Sequence, residues 1–199
     1  MIKPASLEDE LFVVLIPGGL VAEKAAQLQR AISEEYELYD REKLPPLHIT
    51  IDRIKKEKKL EAARIIIESL QNFSAEINIL LEDFLCLKQH ENRFLVLNVK
   101  GTDSLIDFSN RVHARLDRAD ITTIENYEEW NFHITLVNNH FVDKPLTWED
   151  FTGLCQDLED EVNKIISSVN RLEIWRATSE ETRRAFFSLD LKGWTGGKN

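Results

Sequence analysis

The chain has 199 residues, a net charge of −10, and 43% hydrophobic and 30% charged residues. That length allows one sizeable domain, or one domain of two similar lobes, and the composition excludes a disordered chain. The acidic balance argues against a broad basic face gripping long nucleic acid, so no extended nucleic-acid-binding surface is expected.

In chain order, residues 11–16 read as a strand closed by Pro17-Gly18-Gly19. A helix follows, with Val21, Ala25, Leu28, Ile32 and Tyr36 on one stripe. Residues 39–46 are charged and then proline-rich, and form a loop into a short apolar strand, 47–51. Leu60, Ala63, Ile67 and Leu70 mark a second helix, and strands near 77–87 and 94–100 flank a turn at 89–92. The order then repeats. Leu105, Phe108, Val112 and Leu116 lie at helical spacing, a polar loop leads to an apolar strand at 132–137, and Thr147 to Asp150 has the pattern of a capping box. That box opens a helix burying Phe151, Leu154 and Leu158, and strands near 165–176 and 185–192 end the chain. Leu97-Asn98-Val99-Lys100-Gly101 is echoed by Leu189-Asp190-Leu191-Lys192-Gly193. The duplicated order predicts two lobes about a pseudo-twofold axis, and residues 1–199 are taken as one bilobed domain.

The two short apolar strands carry the same tripeptide, His48-Ile49-Thr50 and His133-Ile134-Thr135. Strand residues two apart point to one face, roughly 6.6 Å apart along the chain. Each strand therefore presents one imidazole and one hydroxyl on one side and buries its isoleucines on the other. A lone strand histidine is ordinarily a satisfied structural residue, but two in matching places of a duplicated chain reverse that reading.

The two motifs, His48-Ile49-Thr50-Ile51 and His133-Ile134-Thr135-Leu136, resemble the signature of the 2H phosphoesterases. This superfamily includes bacterial 2′-5′ RNA ligase-like proteins and cyclic phosphodiesterases. The resemblance covers essentially the whole chain, because the duplicated element order also matches the family's bilobed α+β fold of antiparallel sheets, flanking helices and a central cleft. It implies that His48 and His133 are the catalytic pair, and that Thr50 and Thr135 bind the phosphate. Members open 2′,3′-cyclic phosphates, ADP-ribose cyclic phosphate or 2′-5′ linkages, or process RNA ends, and the motifs do not separate these substrates.

The chemistry suits the residues. Opening a cyclic phosphodiester requires water to lose a proton and a leaving alkoxide to gain one, tasks for one neutral and one cationic histidine. Threonine hydroxyls supply donors to the non-bridging oxygens without a metal or other cofactor. A small nucleotide or an RNA end is the expected partner. Two other readings stand beside this one: a non-enzymatic nucleotide or RNA-end binding module on the same fold, and a metallohydrolase. The latter lacks His-Glu-x-x-His or Cys-x-x-Cys spacing.

Further expectations are weaker in their chemistry. Strict alternation puts Asp52 on the face of His48 and Thr50, where it tunes the site or ends the strand, and Asn131 on the equivalent face before His133. Tyr127 and Trp130 either stack on a base or pack. Lys88 and Arg176 take corresponding hairpin places, flanking the cleft or lying solvated. The basic run Lys55, Lys56, Lys58 and Lys59 reads as a solvated helix start or a lead-in for RNA. His90, His113 and His140 are expected at the surface. Cys86 and Cys155 lack metal-ligand spacing and are expected as buried free thiols of a reducing compartment. The N-terminal segment has acids and no secretory apolar core, and no apolar run spans a bilayer, so a cytoplasmic protein without membrane contact is expected.

Overall fold

The computed structural model describes residues 5–39, 44–89, 92–139, 141–158, 164–178 and 181–191. Each half of the chain runs strand, helix, strand, helix, strand. The first half is β1 (Glu10–Pro17), α1 (Gly19–Tyr36), β2 (Ile49–Lys55), α2 (Lys59–Gln71) and β3 (Asn78–Gln89). The second is β4 (Asn92–Lys100), α3 (Asp103–Arg118), β5 (His133–Asn138), α4 (Trp148–Asp157) and β6 (Ile165–Trp175). A one-turn helix α5 (Glu181–Arg184) and β7 (Ala185–Asp190) follow.

The seven strands form one antiparallel sheet ordered β1-β2-β5-β4-β3-β6-β7, and β1 also pairs with β6. β6 pairs with β3 along Ile165 to Ser168 and with β1 along Val169 to Trp175, which closes the sheet on itself. The third strand of each half therefore crosses over: β3 pairs with β4, and β6 with β1. A pseudo-twofold axis runs between β2 and β5, relating β1 to β4, β2 to β5 and β6 to β3. At that axis the two motif strands meet through a single pair, Ile49 opposite Ile134. The sequence echo aligned β4 with β7 instead. Among the described residues β7 is an edge strand bonded only to β6, and the place equivalent to β4 belongs to β1. Lys192 and Gly193 of that echo lie outside the described residues.

One sheet face is covered by helices. Leu15, Ile49, Leu97, Ile134 and Leu172 of the strands share a core cluster with Leu28 of α1, Ile66 of α2, Phe108 of α3 and Leu154 of α4. The sequence patterns explain these helices locally. Thr102 Oγ1 caps α3 by accepting the Leu105 N–H, and α3 buries Leu105, Phe108, Val112 and Leu116 as their spacing predicts. Thr147 and Asp150 form the reciprocal capping box of α4. No helix among the described residues is long and apolar enough to cross a membrane.

The cysteines differ from expectation. Cys86 of β3 and Cys155 of α4 form a disulfide, with Cα atoms 6.1 Å apart. Cys86 stands opposite Leu95, on the helix-covered side, where α4 brings Cys155 down onto it. The sequence could not show this pairing, because the two cysteines are 69 residues apart and meet only in the folded packing. Closing a loop of that length in the unfolded chain stabilises the fold by up to about 4 kcal/mol on a chain-entropy account. Denaturant unfolding of a Cys86→Ser variant is expected to show a loss approaching that size, matched in the wild type by adding reductant.

Candidate active site

The same irregularity follows each motif threonine. β1 pairs Val14 with Thr50 but Val13 with Asp52, so Ile51 is an extra, bulged residue. β4 pairs Val96 with Thr135 but Leu95 with Val137, so Leu136 is bulged in the same place. A β-bulge inserts one residue and turns all that follows to the opposite face. Asp52 therefore turns to the helix-covered side with Val13, not to the face of Thr50 as strict alternation predicted, and is fully buried. Arg53 takes the site-facing position instead. Each bulge also frees a buried carbonyl, and each is met by a donor. Tyr127 Oη donates to Ile51 O at 3.0 Å, and Gln29 Nε2 donates to Leu136 O at 3.1 Å.

Before the bulges, Ile49 and Ile134 point into the core, so His48, Thr50, His133 and Thr135 share the opposite face. The antiparallel Ile49–Ile134 pair sets His48 across from Thr135 and Thr50 across from His133. The fold thus brings all four motif residues together. Each imidazole is held alike: His48 Nδ1 lies 2.9 Å from Pro46 O, and His133 Nδ1 lies 3.1 Å from Asn131 O. A carbonyl only accepts, so Nδ1 donates in both rings and Nε2 is left for proton transfer. Among the described residues neither threonine hydroxyl has a hydrogen-bond partner, so both are open to a ligand.

Burial lowers the pKa of His48 to about 4; the Pro46 carbonyl opposes the shift, while the charges of His133 and Arg184 add to it. Burial also lowers His133, opposed by the Asn131 carbonyl. Both rings are therefore neutral at pH 7 in the free protein.

Asp52 and Tyr127 act behind the strand, while the Trp130 ring lies against Arg53, 5.6 Å from its guanidinium carbon. Asp52 Oδ1 accepts from the Thr122 hydroxyl at 2.7 Å and from its neighbour's Arg53 N–H at 2.7 Å. His113 Nδ1 lies 2.9 Å from Asp52 Oδ2, and its ring stacks on Tyr127 with centroids 3.7 Å apart. His113 is thus half-buried, not the surface residue expected, because α3 lies over β2 and brings it to a buried carboxylate. Trp130 Nε1 donates to Thr50 O at 2.9 Å. The polar ends of Tyr127 and Trp130 are committed to the β2 backbone, which is the packing alternative for these residues. Asn131 contributes its carbonyl to His133, while its side chain turns to Glu129 O.

The remaining predicted cations are placed elsewhere. Lys88 pairs with Arg93 and lies 5.2 Å from the ring centroid of Trp148, in register with the helix-covered side. Arg176 lines a separate cleft of about 230 Å³ with Glu8, Glu10 and Lys56. The basic run is spent on local partners: Lys55 on Asp120, Lys56 on Glu8 O, Lys58 on Glu61 and Lys59 over Phe186. His90 and His140 lie outside the described residues.

Sequence inspection missed the wall beside His48. The Trp175 ring packs against it at 4.6 Å and 55°. Trp175 Nε1 donates to Glu173, which also accepts from Ser188 Oγ at 2.9 Å. The only signal in the sequence was the alternation of Arg171, Glu173 and Trp175 with Leu172 and Ile174, ordinary for any half-buried strand.

An NMR titration of the imidazoles is expected to place the His48 midpoint near 4 and that of His133 below the usual 6.5. Because the folded pKa values are depressed, the unfolded chain takes up these protons first. The stability contributed by the neutral rings should be complete above about 6.5 and fall as pH drops toward 4. A midpoint of 6.5 for both rings would contradict the burial described.

Comparison with solved structures places the same fold in a phosphoesterase at TM-score 0.51 and 14% identity, over 92% of this chain and 98% of that one. The PDE domain of MHV ns2 aligns at TM-score 0.51 and 17% identity, over 80% and 88%. E. coli LigT, crystallised with 3′-AMP, aligns at TM-score 0.50 and 14% identity, over 92% and 98%. At such identities the likeness concerns the fold alone. No curated protein matches the chain. The model of the AKAP7 2′5′ RNA ligase-like domain, however, matches residues 12–187, nearly the whole described chain. With two bulged His-x-Thr strands facing one another across a pseudo-twofold axis, the chain belongs to the AKAP7 2′5′ RNA ligase-like domain family of the 2H phosphoesterase superfamily.

Proposed function

We propose that the protein is a metal-independent phosphodiesterase that opens a 2′,3′-cyclic phosphate, or a related nucleotide or RNA-end phosphodiester, by paired-histidine acid–base catalysis. The observation that supports this most is the matched tethering of His48 and His133. Each ring is fixed through Nδ1 to a carbonyl two residues upstream, leaving Nε2 free on a face shared with two unengaged threonine hydroxyls.

In the reaction one Nε2 accepts a proton from water as its oxygen attacks phosphorus. The bond from phosphorus to one ribose oxygen breaks, and the other imidazolium gives its Nε2 proton to that leaving oxygen. Thr50 and Thr135 donate to the non-bridging oxygens as charge builds on them. The near-symmetry allows either histidine to be the base, according to which ribose oxygen leaves. Both rings are neutral in the free protein at pH 7, so one must gain a proton when the anionic substrate binds. A nearby phosphate favours the cationic ring and raises its pKa.

Three outcomes follow from these roles. His48→Ala and His133→Ala are each expected to lower kcat by about 10²- to 10⁴-fold on a 2′,3′-cyclic nucleotide, and turnover should persist in EDTA. Unchanged hydrolysis in either variant would remove the catalytic assignment. Thr50→Val or Thr135→Val should cost on the order of 10²-fold in kcat, with little change in fold by circular dichroism. The pH profile should be bell-shaped. Its kcat/KM limbs, set by the free protein, should both lie below 6.5, while the basic limb of kcat is displaced upward by the bound phosphate.

A further inference from the structure

The two half-sites are not equivalent, and the difference lies beyond the bulges. On the His48 side the cross-strand row runs Arg53, Phe12, Trp175; on the His133 side the equivalent row is Asn138, Phe94, Leu87. An aromatic therefore stands where the other half has leucine. On that aromatic lies Arg184, the last residue of α5. The guanidinium carbon of Arg184 is 4.7 Å from the Trp175 ring centroid, and Trp175 itself packs on His48. The end of α5 is tied to the end of β6 by the Arg176 N–H, which donates to Arg184 O at 2.9 Å.

This arginine is half-buried, yet among the described residues no carboxylate or carbonyl satisfies its side chain, and its Nε is a buried donor without an acceptor. Glu173, the nearest acid along β6, is already engaged by Trp175, Ser188 and Arg171. Leaving a buried guanidinium donor unmatched is costly unless something else completes it. Stacking on an aromatic face holds the planar group while leaving its in-plane N–H fork free, and that fork fits phosphate oxygens. Burial is the main cause of the lowered His48 pKa, and the positive charge of Arg184 adds to it in the same direction. The His-x-Thr motifs themselves supply hydroxyls but no fixed cation.

We propose that Arg184, held on the face of Trp175, is a substrate-binding cation of this site, donating to a non-bridging oxygen of the phosphodiester on the His48 side. This rests on the phosphodiesterase reading above and adds to it a direction: the phosphate is held with one oxygen toward the end of α5. Trp175 is a positioning residue for both Arg184 and His48.

The test compares wild type with Arg184→Gln and Arg184→Lys, using inorganic phosphate as the binding probe and adenosine 2′,3′-cyclic phosphate as substrate. Arg184→Gln should weaken phosphate binding about 10-fold and lower kcat/KM about 10²-fold, and Arg184→Lys should recover part of each loss. Phosphate affinity and kcat/KM in Arg184→Gln within twofold of wild type would overturn the assignment. If wild type turns over no cyclic phosphate, the phosphodiesterase reading fails, and phosphate binding alone judges Arg184. If Arg184→Gln does not fold, the Arg184 Nε–H resonance of the wild type decides. It shifts on phosphate titration if the inference holds, and stays unmoved if it does not.

Discussion

Two extra residues, Ile51 and Leu136, set the geometry on which the rest depends. Without a bulge each motif strand would alternate evenly, keeping Asp52 and Ile54 on the side of His48 and Thr50. The inserted residue sends the strand beyond it to the other face, so that Asp52 turns toward the helices and Arg53 toward the motif face, both of them buried. The insertion also strips a carbonyl of its ladder partner in a place water does not reach. Such a group must find a donor, and both do so across the pseudo-twofold axis. Tyr127 of the second half serves Ile51, and Gln29 of the first half serves Leu136.

That exchange explains how the two halves can build one shared face when, among the described residues, their central strands are paired in register at Ile49 and Ile134 alone. Each motif is buttressed by a helix or loop from the opposite half: α3 behind β2 with Trp130 bonded to its Thr50 carbonyl, and α1 behind β5. The same segment ends at Asn131, whose carbonyl tethers His133. Thr50 and His133, opposite one another in register, are thus held by neighbouring parts of a single stretch of chain.

Electrostatics at the site runs against the whole-chain balance. A net charge of −10 repels an anion at long range, but screening confines that effect, and the local field is decided by what stands beside the histidines. Half-burial makes both rings neutral, and Trp175 with Arg184 marks one side of an otherwise near-symmetric pair. The duplicated chemistry therefore sits in surroundings that are not duplicated, since among the described residues β7 has no counterpart strand in the first half.

Much of this was legible from residues close in the chain. The stripe of Leu105, Phe108, Val112 and Leu116, the Thr147–Asp150 box and the alternating strands are local patterns, and they form because backbone geometry repeats with the same periods. The motif pair was legible for the same reason, with duplication adding the expectation of a shared cleft. What stayed hidden depends on contacts between distant residues: the Cys86–Cys155 bond, the burial of His113 against Asp52, and the Trp175–Arg184 wall. The bulges were hidden too, because an extra residue is extra only relative to the partner strand. By itself the sequence determined which side chains could do chemistry and that they come as two equivalent sets. Only the tertiary structure decided which faces they occupy, who holds them and which neighbours break their symmetry, because register, cross-strand pairing and helix docking are relations between segments that no single segment encodes.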